Sequence, residues 1–570
     1  MKPPSTHASE LREALERLRP LFVRAALFSL ITSLLILMPS VYMLEVYDRV
    51  VNSQSHTTLA MLTALVIGAF IVMEILDWAR TTVMHQAGQM LDESLRERIF
   101  NLSFQAGLRK IPGGTPQTMN DLRTLREFLS SPPLLAMMEV PVALLFIVLV
   151  FAMNAWLGWA AVVGALVQAA IAWLNEKKTR PPLTTANMAA VSAQQYADGA
   201  LRNAQVIESM GMLKNIHGHW MQRQRAVMSL QARASDLAGG FSAASKFWQL
   251  VVSSALLGLG CLVLLHGELS GGSGMMIVAS ILGGRVLAPL VQIVGQWQLV
   301  VNAQTAWKRL DELLNKIPAT APGMPLPPPK GLLSVENLVA GPPNSNIQIL
   351  RGVSFRINPG EVLAVVGPSA CGKTTLARLL TGLWPAFVGK VRLDGVDIFN
   401  WNKAELGPHI GYLPQGVQLF EGTIAENIAR FGDIDMRLVE RAARAVGLHE
   451  LITELPDGYH SAVGREGAIL SGGQRQRIGL ARAIYGDPVY VVLDEPNASL
   501  DDQGDAALAD TIRQMKANGT TFVVMTHRTS ILAVADKMLV LRDGQMQAFG
   551  PRDEVLAGLS QAQQRAPATT

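Results

Sequence analysis

The stretch Gly367-Pro368-Ser369-Ala370-Cys371-Gly372-Lys373-Thr374-Thr375 follows an apolar run, Val362–Val366, and leads into a helix-forming segment. Its spacing is that of a phosphate-cradling loop, G-x-x-x-x-G-K-[ST]. The glycines let the backbone wrap closely enough for its N–H groups to point inward, and the following helix adds its positive N-terminal end. In such a loop Lys373 reaches the β- and γ-phosphates and Thr374 ligates Mg²⁺. A chance match in a turn is the alternative; the preceding strand pattern and the following helix argue against it.

A second constellation lies at Val489–Glu495, an apolar strand pattern ending in Asp494 and Glu495. Phosphoryl transfer needs mainly positioning and charge neutralisation, so Asp494 would hold Mg²⁺ and Glu495 would orient and polarise an attacking water. Two acids after a buried strand can also simply cap the next helix. A third is Leu470–Arg477, in which Ser471, Gly472, Gly473 and Gln474 open a helix and would form another anion site at its N-terminus. Alone, such a turn is an ordinary helix start; its place just before the acidic strand gives it weight.

These groups need a scaffold, and composition sets what it is. The chain has 570 residues, 49% of them hydrophobic, and a mean hydropathy of +0.25. Six apolar stretches precede residue 305: Leu21–Met43, Leu59–Leu76, Leu134–Met153, Ala155–Leu174, Phe247–His266 and Met275–Val301. Each approaches or exceeds the ~20 residues that cross a hydrocarbon core. The first follows a charged segment and reads as a retained helix rather than a cleaved signal. Loops two-to-three and four-to-five are long, roughly 55 and 70 residues, and hold the Lys and Arg, from Arg80 and Lys110 to Arg126 and from Lys177 to Arg233. The short links carry almost none apart from Arg49. The charge bias puts the N-terminus, both long loops and the C-terminal half in the cytoplasm. It also accounts for the net charge of +4 and pI of about 9.0 without nucleic acid. Stretches such as Gln89–Leu102 and Ala193–Leu213 read as helical, so the spans are expected to continue into the cytoplasm. Cys261 and Cys371 suggest neither a disulfide framework nor a metal pattern.

The expected organisation is therefore a cytoplasmic N-terminal segment, 1–20, and a transmembrane domain, 21–315. A Pro-rich linker at 316–331 leads to a nucleotide-binding domain at 332–560, with a flexible tail at 561–570. Arg285 interrupts the sixth span, where a charge costs ~2.5 kcal/mol or more in lipid. It is expected either to line a translocation path or to pair with an acid such as Glu74 or Asp77.

With its motifs in this order, the C-terminal half resembles an ATP-binding-cassette (ABC) ATPase. The resemblance implies further roles. Gln415, in Tyr412-Leu-Pro-Gln, matches the glutamine that senses Mg²⁺ and the γ-phosphate and faces the membrane domain. Asp501, in Ser499-Leu-Asp, matches the loop that communicates across a dimer, and His527 matches the switch histidine at the γ-phosphate. Leu419–Asn427 and Val463–Gly467 resemble exporter segments, the latter reading Gly-Arg-Glu where Gly-Glu-Arg is commoner. Many exporters place a Tyr after the first strand to stack on adenine; here that place falls near Pro342, with no aromatic nearby in sequence. The family sandwiches each nucleotide between the phosphate loop of one ATPase and the Ser471-type motif of another, which implies a homodimer.

The implied fold class is an all-α six-helix transmembrane domain plus an α/β P-loop ABC ATPase domain, the type I (type IV-fold) exporter architecture. Met43–Val50 with Thr57-Thr-Leu59, Gly284–Pro289, Trp297 and Arg309–Leu313 resemble the half-exporters of type I secretion systems, in the protease, lipase and haem-protein group. What that implies is a multi-pass inner-membrane permease-ATPase in contact with membrane lipid. Its partners would be a periplasmic membrane-fusion adaptor, an outer-membrane TolC-like channel and a secreted protein substrate with an uncleaved C-terminal signal. A lipid or small-molecule flippase, or an ATP-gated membrane regulator without transport, are the competing readings.

Overall fold

The computed structural model describes residues 10–109, 111, 117–267, 274–318, 324–464, 467 and 470–565. Arg465 and Glu466 of the exporter-like segment, Lys110, and the remaining parts of the N-terminal segment, linker and tail lie outside the described residues. The chain divides into two compact units, 1–107 with 112–319, and 108–111 with 320–570.

The first unit is helical. Six helical stretches are long and apolar enough to cross a membrane: Arg19–Glu45, His56–Leu108, Gln117–Met153, Ala155–Arg202, Leu213–Leu265 and Gly274–Gly295. The second, fourth and fifth run on without a break far past their apolar portions, to lengths of 53, 48 and 53 residues. Three details differ from the sequence expectation. Span 1 has a turn at Ile36–Leu37, ahead of Pro39, and then a π-helical segment at Val46–Val50. The sixth helix stops at Gly295. Gln296 leaves helical geometry (φ −121°, ψ 30°) and a separate helix starts at Trp297, so Met275–Val301 is not one span. The stretch Ala193–Leu213 is broken at Asn203 and again at Met210–Met212, where Gly211 takes φ +63°.

Spans 4, 5 and 6 pack with side chains of one span seated directly on glycines of the next. A Cβ placed on Gly164 would lie 2.9 Å from Val252, on Gly260 2.9 Å from Met276, and on Gly283 1.9 Å from Leu256. Small residues are what allow apolar helices to associate where lipid is as apolar as leucine. Polar cross-links reinforce the contact: Trp248 Nε1 donates to the Gly164 carbonyl at 2.9 Å, Gln249 Nε2 to Gly284 O at 2.9 Å, and Ser280 Oγ to Ser253 O at 2.6 Å. Buried Gln168 and Ser245 share a hydrogen bond. Beyond the spans, buried Asp121 accepts two bonds from Arg309, at 2.8 and 2.5 Å. Arg98 donates to Glu10 and to the Ile317 carbonyl.

Buried Arg80 donates to Glu139 at 2.6 Å, Asp77 at 2.5 Å and Ser29 at 3.3 Å, joining spans 1, 2 and 3. This changes the reading of Arg285. Asp77 is committed to Arg80, and the acid that shares a small crevice with Arg285 is Glu139. Arg285 itself is exposed and makes no ion pair with Glu74 or Asp77.

The second unit is α/β. Strands β1 (Leu333–Ala340), β2 (Leu350–Ile357), β4 (Val388–Leu393) and β5 (Val396–Asp397) form an antiparallel sheet in the order β2-β1-β4-β5. The main sheet has the order β10-β9-β3-β8-β7-β6. Its strands are β3 (Val362–Val366), β6 (Ile410–Leu413), β7 (Tyr490–Asp494), β8 (Thr521–Met525), β9 (Lys537–Arg542) and β10 (Gln545–Pro551). All pairs are parallel except β9–β10. Strands β7 and β8 are buried at every residue, which is why they read as continuous apolar runs rather than alternating ones.

Candidate functional site

In a parallel sheet ligands gather beyond the carboxyl ends of the strands. Four neighbouring strands here end in the singled-out residues. The phosphate loop follows β3, Gln415 lies two residues past β6, Asp494 ends β7, and His527 lies two residues past β8.

The loop itself needs special backbone. Gly372 has φ +107°, and a Cβ there would lie 2.8 Å from Leu350. A Cβ on Gly367 would lie 2.1 Å from the Leu541 carbonyl. Ala370 adopts φ +64°. Pro368, Ser369 and Ala370 are exposed at the rim, while Cys371 and Thr375 point into the protein and are buried. Lys373 is buried and its ammonium uses all three donors: Gly367 O at 2.7 Å, Pro368 O at 3.2 Å and His527 Nε2 at 2.8 Å. That last contact requires Nε2 to be the unprotonated ring nitrogen.

Asp494 is fully buried, and neither carboxylate oxygen has a hydrogen-bond partner. Burial pushes its pKa up; Glu495 adds to this, while the nearby Thr374 hydroxyl, Arg378 and Lys373 oppose it. A buried, unpaired carboxylate beside a hydroxyl is a donor set that fits a hard divalent cation. Glu495 sits at φ +52°, a costly conformation for a residue with a side chain, fixed by its N–H bond to Met525 O at 3.0 Å. Gln415 Nε2 donates to Glu495 Oε2 at 3.0 Å, leaving the glutamine's carbonyl oxygen free to accept or ligate.

Ser471, Gly472, Gly473 and Gln474 form a separate cluster. Ser471 caps helix Gly472–Ile484 in a reciprocal box: its hydroxyl accepts from Gln474 N at 3.2 Å, and Gln474 Oε1 accepts from Ser471 N at 2.8 Å. The hydroxyl thus accepts locally, which leaves its O–H to donate to another group. The neighbouring turn holds Asp501, which caps helix Asp502–Ala517 and accepts from Arg477 at 2.6 Å. The Gly504 N–H, with Arg477, holds the Asp501 carboxyl below its usual range. Ser471, Gly472 and Asp501 are exposed. Among the described residues no hydrogen bond or ion pair joins 471–474 to 367–375.

Two residues escaped the sequence reading. Arg430, at φ +58°, donates to the carbonyls of Arg482, Ala483, Gly407 and Ile410 at 2.8–3.0 Å, tying the strand before Gln415 to the end of the Ser471 helix. Its neighbours in sequence carry no hint of that. Phe387 is the other. Its ring lies 3.3 Å from where a Cβ on Gly341 would be, so the turn at Pro342 does have an aromatic beside it. The signal that could have found it is the pairing of the Val388 strand with β1.

A phosphate-loop ATPase unit joined to a six-helix membrane unit is the class that this fold and site define. The family models agree: ABC transporter matches residues 350–498, and ABC transporter transmembrane region matches residues 22–286. The chain is 38% identical, over 97% of its length and 95% of the relative's, to the type I secretion system ATP-binding protein PrsD of Rhizobium meliloti (strain 1021). It is 26% identical to the toxin RTX-I translocation ATP-binding protein of Actinobacillus pleuropneumoniae and to the leukotoxin translocation ATP-binding protein LktB of Mannheimia haemolytica, covering 95% of this chain and 77% of each. In fold it is similar to a bacterial Atm1-family ABC exporter solved with ATP bound, at a TM-score of 0.83 and 22% identity over 97% of this chain and 99% of the other. The chain belongs to the ABC transporters, in the group of type I secretion half-exporters. It is a multi-pass membrane protein with an ATPase unit that binds and hydrolyses ATP in support of secretion.

Proposed function

We propose that two copies of this chain form the inner-membrane motor that exports a polypeptide through a periplasmic adaptor and an outer-membrane TolC-like channel, with the ATPase units in the cytoplasm. The observation that carries the cargo class is the similarity to PrsD over nearly the whole of both chains. The separation of the Ser471 cluster from the phosphate loop supports the dimer, because each cluster is internally complete and the first is exposed.

In this reading Gly367–Thr375 wraps the phosphates and Lys373 exchanges its loop carbonyls for phosphate oxygens. Thr374, Asp494 and the carbonyl oxygen of Gln415 would hold Mg²⁺, which would supply charge neutralisation at the phosphates. Glu495 accepts the proton of the attacking water on the carboxylate that Gln415 orients. His527, released from Lys373 and with a proton then on Nε2, donates to the γ-phosphate. Ser471, Gly472, Gly473 and Gln474 of the second copy close the site, and Asp501 with Arg477 passes its state across the dimer.

The test is export from cells that also make the adaptor, the channel and a secreted protein with an uncleaved C-terminal signal. Wild type should deliver the cargo to the medium. Glu495→Gln should retain it inside, lose hydrolysis on the order of a hundredfold or more, and still bind ATP as a trapped dimer. Hydrolysis at the wild-type rate in that variant would remove Glu495 from the chemistry. Retention of cargo by an ATP-hydrolysing wild type would remove the cargo class.

A further inference from the structure

The groups described so far grip the phosphate end of the nucleotide and leave its base without a partner. The side of the phosphate loop that faces β6, β7 and β8 is filled by Asp494, Glu495, Gln415 and His527, so the base must leave on the other side. There the loop adjoins the β1–β2 turn: a Cβ on Gly372 would lie 3.2 Å from Ile349 and 2.8 Å from Leu350, the residues that end the turn. The turn starts at Gly341-Pro342 and is closed by Ile349 N donating to Ala340 O at 2.9 Å. It has no aromatic residue of its own.

Phe387 is brought to this turn by strand register. Val388 pairs with Val339, and Phe387 N donates to Val339 O at 2.8 Å, which fixes the residue opposite the start of the turn. Its ring reaches to 3.3 Å from the Gly341 Cβ position. The ring stays 41% exposed and belongs to neither hydrophobic core of the ATPase unit. A half-exposed phenyl ring pinned by its backbone, beside the turn whose far end adjoins the phosphate loop, offers a face to a planar ligand. The tight turn leaves no space for a side chain at 341, where a Cβ would lie 1.8 Å from the Ile347 carbonyl, so nothing grows between ring and turn.

We propose that Phe387 is the aromatic platform for the nucleobase of ATP, taking the part that a residue of the β1–β2 turn cannot. It sets affinity for the base and leaves affinity for the phosphates to Gly367–Thr375. The assignment rests on the nucleotide reading of that loop. Every base has a stacking face, so the platform favours ATP over baseless polyphosphate more than it separates ATP from GTP.

The experiment uses the full-length protein in detergent, with ATP as substrate and inorganic tripolyphosphate as a baseless competitor. Phe387→Ala should raise KM for ATP about tenfold while the Ki of tripolyphosphate stays within about twofold. Phe387→Trp should restore KM, and its added emission should be quenched by ATP and not by tripolyphosphate. An unchanged KM in Phe387→Ala, or an equal loss of ATP and tripolyphosphate binding, overturns the assignment of Phe387 alone. A wild-type protein that tripolyphosphate fails to inhibit overturns the phosphate-loop reading beneath it.

Discussion

Strands β7 and β8 of the ATPase unit are buried at every position, whereas the most apolar part of span 2 has 6% of its residues buried. The two units are thus cohesive for different reasons. The ATPase closes its core within one chain, and its candidate site lies at the carboxyl ends of four neighbouring strands. The membrane unit buries little of itself. It holds spans 4, 5 and 6 together by glycine contacts and a few polar cross-links, and it presents span 2 outward along most of its apolar length. Burial from water is available as a driving force in the ATPase unit and absent between helices in lipid, where packing and hydrogen bonds remain. A buried polar group therefore plays two parts here: Arg80, Gln168 and Ser245 are hydrogen-bonded across spans, and Asp494 at the ATPase site is left without a partner.

Asp494 is the sharpest case, and its variant should show the largest effect. Asp494→Asn should reduce ATP hydrolysis on the order of a hundredfold or more. The same substitution should raise the thermal midpoint of the protein in EDTA at neutral pH. The sign follows from the raised carboxyl. A folded-state pKa above the unfolded value means that the folded form binds more protons. The penalty is therefore absent below the unfolded carboxylate range, grows as pH rises through that window, and is complete above the folded pKa. The gain from Asn should vanish as pH falls towards 4, the ordinary aspartate range. A variant less stable than wild type at pH 7 would mean that Asp494 is a paired structural group like Asp121, and the contrast between the units would fail.

The membrane side is tested by glycines. Gly283→Ala places a methyl 1.9 Å from Leu256, which is fully buried, and should destabilise the unit by about 1–3 kcal/mol through overpacking. Gly258→Ala, on span 5, meets nothing within 4 Å. It should be neutral or stabilising by up to about 1 kcal/mol through helix propensity. Thermal unfolding in detergent reads both, and equal effects at the two sites would remove close packing as the source of cohesion.

What could be read in advance follows the same division. The phosphate loop, Asp494–Glu495 and the Ser471 helix were legible because each is a short local pattern whose chemistry depends on spacing. The six apolar runs were legible because crossing a bilayer is a length requirement. What escaped depends on partners distant in sequence. Arg430 matters through four carbonyls up to 53 residues away, and Phe387 through a strand pairing. Arg285 could not be matched to an acid from spacing along the chain, because Asp77 goes to Arg80 and it is Glu139 that shares its crevice. The break at Gln296 carries no Pro, and Gly295 alone gives a weak stop.

Cys371 supplies the smallest effect and tests how tightly the site-bearing unit is closed. The thiol is only 4% exposed and packs in the core beneath the loop, 2.7 Å from the Gly367 Cβ position. A reagent can reach it only when the loop opens. In a Cys261→Ser background, N-ethylmaleimide should inactivate hydrolysis slower than it modifies a free thiol by roughly tenfold or more, the factor that a local opening of a little over 1 kcal/mol imposes. ATP should slow it further, since phosphates held by the loop oppose opening. Cys371→Ala should make the enzyme resistant, because any surviving inactivation would have to come from another group. Labelling at the free-thiol rate would mean that the loop is open much of the time. The ATPase unit would then be closed beneath its strands but not at its site, and the difference between the two units would be narrower than their packing suggests.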